Sequence, residues 1–309
     1  MSAQAGVAGF SWNLVADFAH MWSFPFMVNA FRAGAIVAVV AGVTGWFMVL
    51  RRQTFAGHTL SLVAFPGAAG ATLLGISAAY GYFAFCLVAA AVIATATRGR
   101  HLGTHPNADR AAETALTGTV QAFALACGLL FVSLYGGFLG GTTALLFGSF
   151  LGITAGQVAL LGGAAATVLT LLTVIGRPLL FASVDPDVAG ARGVPVRGLS
   201  IAFLMLLGAA VAEAAQITGA LLVFALLVMP AATAQLLTAR PFASLIMTVV
   251  IGWMVTWAAL TAAYYSVYPI GFYVTSFAFA GYVAARLAGR RLLRPHGPRV
   301  DPRAVTRTA

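Results

Sequence analysis

Apolar residues in this chain gather into runs of roughly twenty, the length that carries an α-helix across a bilayer core. The runs fall near 27–50, 59–78, 79–97, 114–135, 157–175, 199–215, 218–237, 243–263 and 269–287. They predict an all-α polytopic membrane protein with about nine transmembrane helices, within a range of 8–10. Pro66-Gly67 interrupts the second run. A glycine-rich stretch at 136–152 is too short to be assigned a full crossing; irregular backbone at that depth needs protein or a water-filled cavity beside it. Before the first run, Trp12, Asp17, His20 and Trp22 break up the apolar residues, the pattern of a helix lying at the headgroup level. The domain reading is therefore an interfacial segment 1–26, a membrane domain 27–289 and a basic, disordered cytoplasmic tail 290–309.

Composition removes the soluble alternative. Of 309 residues 61% are hydrophobic and 8% charged, with a mean hydropathy of +0.96, against about 25% charged in soluble domains. All 17 basic residues are arginine. Without lysine the chain can supply neither a Walker A phosphate loop nor a Schiff base, so any ATPase acting on it is a separate chain. The net charge of +10 reflects arginines in short loops and does not point to nucleic acid. Placing the end of the first run inside puts Arg51, Arg52, Arg98, Arg100, Arg110, Arg177, Arg192, Arg197, Arg240 and the tail from Arg286 in the cytoplasm. Arg32 alone lies towards the outside. The positive-inside bias thus predicts a multi-pass protein of the plasma (inner) membrane, amino end outside and carboxyl end cytoplasmic. Cys86 and Cys127 lie within apolar runs and read as small buried hydrophobes. No basic leader with a cleavage site is evident.

The most polar internal stretch, 176–198, carries capping signals. Ser183 or Asp185 suits an N-cap, Pro186 a first helical position and Gly193 a left-handed ending, so a short helix is expected there. Pro66 and Pro230, each inside a span, remove a backbone hydrogen bond and are expected to kink their helices. Glu213 is the one carboxylate expected within a span; membrane-buried carboxylates tend to face a cavity or a partner. Because it lies near the outer end of its span, snorkelling to the surface stays open, as does pairing with Arg32. The i,i+4 pair His101 and His105, with Asp109, lies in a loop containing Gly103 and Pro106 and reads as solvated.

Three blocks resemble the membrane subunit of ABC-type zinc/manganese/iron importers. The first is Arg51-Arg52 followed by Gly57-His58-Thr59-Leu60-Ser61-Leu62-Val63-Ala64-Phe65-Pro66-Gly67, similar to the family's Gly-Asp-x-x-Ser-His-x-x-x-Pro-Gly. The second is Leu146-Phe147-Gly148-Ser149. The third runs from Asp185-Pro186-Asp187-Val188-Ala189 through Arg192, Gly193 and Val194 to Gln216, Gly219 and Pro230-Ala231-Ala232-Thr233-Ala234. The resemblance implies a permease homodimer, worked by a separate ABC ATPase subunit and fed by an extracytoplasmic metal-binding protein. It makes Asp185–Gly193 a cytoplasmic coupling helix; without the resemblance the same residues read as a capped surface helix.

The resemblance also marks where cargo would pass. Here His58 stands at the family's Asp position and Leu62 at its His position. Leucine cannot ligate, so His58, with Ser61 one turn on, is the remaining metal candidate, and the set suits zinc better than the harder manganese. A packed histidine with no role in transport is the competing reading. His58, Ser61 and Glu213 are the translocation-path candidates. The expected function is ATP-driven import of zinc, manganese or iron, with no cofactor bound by this chain and no catalysis in it. The alternatives are a permease for a metal complex or other small solute, and an ion-coupled secondary transporter. The last needs inverted repeats and midplane ionisable groups, of which few are evident.

Overall fold

The computed structural model describes residues 20–96, 106–135, 146, 148, 152–266 and 268–292. The first nineteen residues, His101 and His105, most of the glycine-rich run 136–152 and the tail from 293 lie outside these. Ten helices are described: α1 Pro25–Leu50, α2 Thr54–Leu73, α3 Ala78–Ala96, α4 Pro106–Leu134, α5 Ala155–Val184, α6 Pro186–Ala191, α7 Val196–Thr218, α8 Ala220–Leu237, α9 Pro241–Tyr264 and α10 Ile270–Leu292. No strand occurs among the described residues. Seven of the helices (α1, α3, α4, α5, α7, α9 and α10) are long and apolar enough to cross a membrane. The protein is an all-helical polytopic membrane protein.

Helix α1 lies in the middle of the bundle, against α5, α7, α8 and α9. Its small residues make that possible: a side chain at Gly45 would overlap the carbonyl of Leu227 on α8, and one at Gly42 would press on the backbone of Val249 on α9. Helices α2, α3 and α4 pack together on one side, with α7 behind α3, and α8, α9 and α10 pack on the other. On the first side Gly67 of α2 and Gly81 of α3 face each other so closely that a Cβ on either would collide with the other's carbonyl. Small residues in membrane helices permit this approach of backbones. Polar side chains add cross-links: Trp46 Nε1 donates to Ser244 Oγ at 3.0 Å, Gln235 Nε2 donates to the Trp46 carbonyl at 3.2 Å, and Thr59 Oγ1 donates to Gln121 Oε1 at 3.0 Å.

Four boundaries differ from the sequence expectation. Helix α2 begins at Thr54 and runs unbroken through Pro66. Helix α4 begins at Pro106, inside the stretch read as a loop, since Pro106 occupies the start of the helix, where its missing N–H costs nothing. Helix α5 continues past Arg177 and Pro178 to Val184. At its other end Thr154 accepts from the Gln157 backbone and the Gln157 side chain accepts from the Thr154 backbone, a reciprocal cap. Helix α10 reaches Leu292, three residues into the expected tail.

The Gly67–Gly81 seam should be intolerant of any side chain. Gly81→Ala is expected to lose about 1–3 kcal/mol, the usual cost of overpacking, seen as a lower melting temperature in detergent. Gly163→Ala, on α5 where an added Cβ meets nothing within 4 Å, should melt no lower than the wild type.

Candidate functional site

His58 sits in the second turn of α2, a helix held on three sides by α3, α4 and α8. Its ring is half-buried and stands edge-on to Phe224 of α8, centroids 4.7 Å apart. The Nδ1 atom is buried with no hydrogen-bond partner. Gly57, just before it, lies against the Met48 sulfur of α1 with no room for a side chain. Ser61 is fully buried, and its hydroxyl donates to the His58 carbonyl at 2.7 Å. Leu62 is half-buried. So His58 and Ser61 are brought together, but the serine oxygen is already engaged with the backbone.

Glu213 lies in the last turns of α7, is 1% exposed, and has no hydrogen-bond partner for either oxygen. It does not snorkel. Arg32 is exposed and does not pair with it. A rise of 1.5 Å per residue puts Glu213 about 20 Å along α7 from Ser200, whereas His58 is about 6 Å along α2 from Thr54. Since Arg51 bonds Ser200, those two helix starts share one end of the bundle. His58 and Glu213 therefore sit at depths differing by on the order of 10 Å. Among the described residues, no three His, Cys, Asp or Glu side chains form a metal-holding group.

The stretch 183–193 folds as its signals direct. Asp185 accepts from the Val188 N–H at 3.0 Å, Pro186 opens α6, Asp187 lies in its first turn, and Gly193 takes φ +81 to end it. Ser183 is not the cap; its hydroxyl donates back to the Leu179 carbonyl. Ala189 is buried and Val188 exposed. Arg192 lies over the Phe181 ring at 5.9 Å, which ties the short helix to the end of α5.

Both prolines stand inside continuous helices. A Cβ on Gly128 of α4 would meet the Pro66 ring at 3.1 Å, and one on Gly252 of α9 would meet the Pro230 ring at 3.8 Å. Each proline thus faces a glycine on its neighbour. Another meeting was hidden in the sequence: Gly148 of the second block, at φ +78, rests on the backbone of Ile217, Thr218 and Gly219, where α7 hands over to α8. The bonds of Arg51 were also missed. Read from the sequence as a charge that orients the protein and as part of the first block, Arg51 also bonds Ser183 and Ser200; those serines lie more than a hundred positions from it and offered no signal.

A buried carboxylate without a donor is a cost to the fold. Glu213→Met, which keeps the side chain's length but removes both unpartnered oxygens, should raise the melting temperature in detergent, with a gain of about 1–2 kcal/mol. A lower melting temperature would mean that the carboxylate is held by a favourable contact.

Comparison with known proteins gives a consistent picture. Residues 23–288 match the ABC 3 transport family. The manganese transport system membrane protein MntC of Halalkalibacterium halodurans is 28% identical over 82% of this chain and 83% of its own length. The chelated iron transport system membrane protein YfeC of Yersinia pestis is 32% identical over 79% and 77%. Among solved structures, PsaBC from Streptococcus pneumoniae in complex with Fab superposes with a TM-score of 0.76 at 25% identity, over 88% of this chain and 95% of that one. An inward-facing metal-chelate type ABC transporter superposes at 0.63 and 18% identity, over 83% and 85%, a likeness of fold.

Proposed function

The chain belongs to the ABC 3 transport family, and on that premise we propose that it is the membrane-spanning permease subunit of an importer for a divalent metal ion. A separate ATPase subunit drives it and an extracytoplasmic binding protein delivers the cargo. The observation that carries this reading is the family match from 23 to 288, which takes in every described helix from α1 to α9 whole. The cargo class follows from relatives named for manganese and chelated iron transport. The chain itself performs no bond-making chemistry.

The finer architecture belongs to the same proposal. Helices α2 and α8 join the seven long apolar helices as spans, for a total of nine. Both are packed among other helices and, at 20 and 18 residues, are long enough to cross; meeting protein, they need less apolar surface. The amino end faces outward and the carboxyl end, with α6, faces the cytoplasm, as the arginine distribution requires. There α6 docks on the ATPase, and bending at Pro66 and Pro230 lets the two sides of the bundle move. Two copies of the chain pair so that two His58 rings flank one path.

The unpartnered Nδ1 of His58 supports its role as the group that meets the cargo. A second reading, transport of a metal complex, is favoured by Leu62, which removes a ligand from the position one turn on. The test is uptake of zinc, manganese and iron(II) by the full complex in proteoliposomes, with ATP and with a non-hydrolysable analogue. His58→Ala should lower uptake of the preferred metal about tenfold or more, as loss of metal-site groups does, without lowering expression. His58→Asp with Leu62→His should shift preference towards manganese, because carboxylates suit harder ions. Identical selectivity in all three proteins would remove His58 from the path.

Asp185→Ala with Asp187→Ala strips the cap and the first-turn charge from α6, weakening that helix by about 1 kcal/mol or more. Membrane insertion should be unchanged while metal carried per ATP falls. Unchanged uptake would show that α6 does not transmit the ATPase's motion.

A further inference from the structure

Arg51 caps the end of α1 and begins a three-residue turn, 51–53, into α2. One terminal nitrogen of its guanidinium donates to Ser183 Oγ at 3.1 Å, and the other donates to Ser200 Oγ at 2.6 Å. Its Nε donates to Gln53 Oε1 at 3.4 Å within the same turn, and the group lies 5.5 Å from the centre of the Phe203 ring. Burial lowers its pKa, yet an arginine stays charged. Its hydrogen-bond acceptors are neutral side-chain oxygens, so it is not an ion-pair anchor. The two serines are in turn fixed to their own helices: Ser183 donates to the Leu179 carbonyl of α5 and Ser200 to the Val196 carbonyl of α7.

The placement of those serines matters. Ser183 is two residues before the Asp185 cap of α6, and Ser200 is in the first turn and a half of α7, just after the loop that leaves α6. Arg51 thus grips both stems from which the short helix hangs. On its other side the turn is tightly bonded. The Arg51 N–H donates to the Phe47 carbonyl, that of Arg52 to Val49, that of Gln53 to Met48, and that of Gly57 to Gln53, at 2.9–3.1 Å. Arg52 takes φ +57 to make this turn, a conformation uncommon outside glycine. These bonds tie the turn into the ends of both helices, and His58 is the residue after Gly57.

We propose that Arg51 transmits displacement of α6 to the helix carrying His58, by clamping Ser183 and Ser200 to the α1–α2 turn. The inference rests on the reading of α6 as the docking site for the ATPase. It makes Arg51 a positioning residue: it touches no cargo and acts through the turn. A planar fork with several fixed donors can hold two hydroxyls at once, whereas lysine's ammonium is a point charge on a flexible stem.

The experiment uses the complete importer in proteoliposomes and reads zinc, manganese and iron(II) uptake together with phosphate release. In Arg51→Met, both interhelical hydrogen bonds from the charged donor are lost, with the one to Gln53, and metal carried per ATP should fall about tenfold or more while ATP hydrolysis continues. Arg51→Lys should recover part of the ratio. Ser183→Ala with Ser200→Ala, which keeps the charge and the bond to Gln53 but removes the two interhelical acceptors, should reproduce the loss; it also carries the test should Arg51→Met fail to assemble. A wild-type ratio in Arg51→Met or in the serine double variant overturns the inference. Absence of uptake by the wild-type complex for all three metals instead overturns the functional reading beneath it.

Discussion

Contact of one helix backbone on another is what the rest of this structure depends on. Between lipid and protein an apolar side chain has little to choose, so burial alone does not bring membrane helices together; close packing and interhelical hydrogen bonds do. Here the closest packing is at glycine. Gly45 of α1 lies on the Leu227 carbonyl, Gly67 on Gly81, and Gly148 on the joint between α7 and α8. None of these seams has space for a methyl group. They hold α1 against α8 and α2 against α3 as closely packed pairs.

The polar cross-links are unevenly placed. Where α1 ends and α2 and α7 begin, Arg51 bonds Ser183 and Ser200, Trp46 bonds Ser244, Gln235 bonds the Trp46 carbonyl, and Thr59 bonds Gln121. At the opposite end of α1 the contacts are mostly aromatic: Trp22 stacks on Phe31, Trp257 meets both edge-on, and Phe24 lies beside Tyr264. Directional bonds fix distances, whereas aromatic faces slide at small cost. The end bearing α6 thus holds more directional bonds than the other, where Asn29 Nδ2 donates to the Ile153 carbonyl at 3.2 Å. The buried side-chain atoms left without a partner belong to His58, Glu213 and Trp257 among the described residues. Of these, Glu213 was singled out in the sequence as a carboxylate within a span, and His58 through the family resemblance.

The spans were legible because the bilayer imposes an apolar length that needs no tertiary knowledge. Polar helix ends were not. The first turns of α4, from Pro106, and the last of α5, through Arg177 to Val184, leave the apolar run while keeping helical hydrogen bonds, so hydropathy cannot see them. Pro66 was read as a break because its lost bond is a local fact, whereas the Gly128 backbone that faces its ring belongs to another helix. The α6 cap was legible residue by residue, since Asp185, Pro186 and Gly193 each act within a few positions. Phe224 beside His58, and the serines around Arg51, were not: both depend on residues more than 130 positions away.

That separation bears on the cargo. On the reading that His58 faces the path, one chain brings an imidazole, a serine oxygen already given to the backbone, and a leucine where a second ligand would stand. Glu213 cannot make up the charge, because it lies on the order of 10 Å deeper along the bundle. Even two chains side by side supply two imidazoles and no carboxylate at the depth of His58 from these positions. A hard ion such as manganese prefers oxygen ligands, and imidazole suits zinc and softer company. A metal that arrives with its own ligands needs fewer from the protein. The donor set at His58 therefore favours zinc or a complexed metal over bare manganese, although the fold is shared with a family whose named members include manganese permeases.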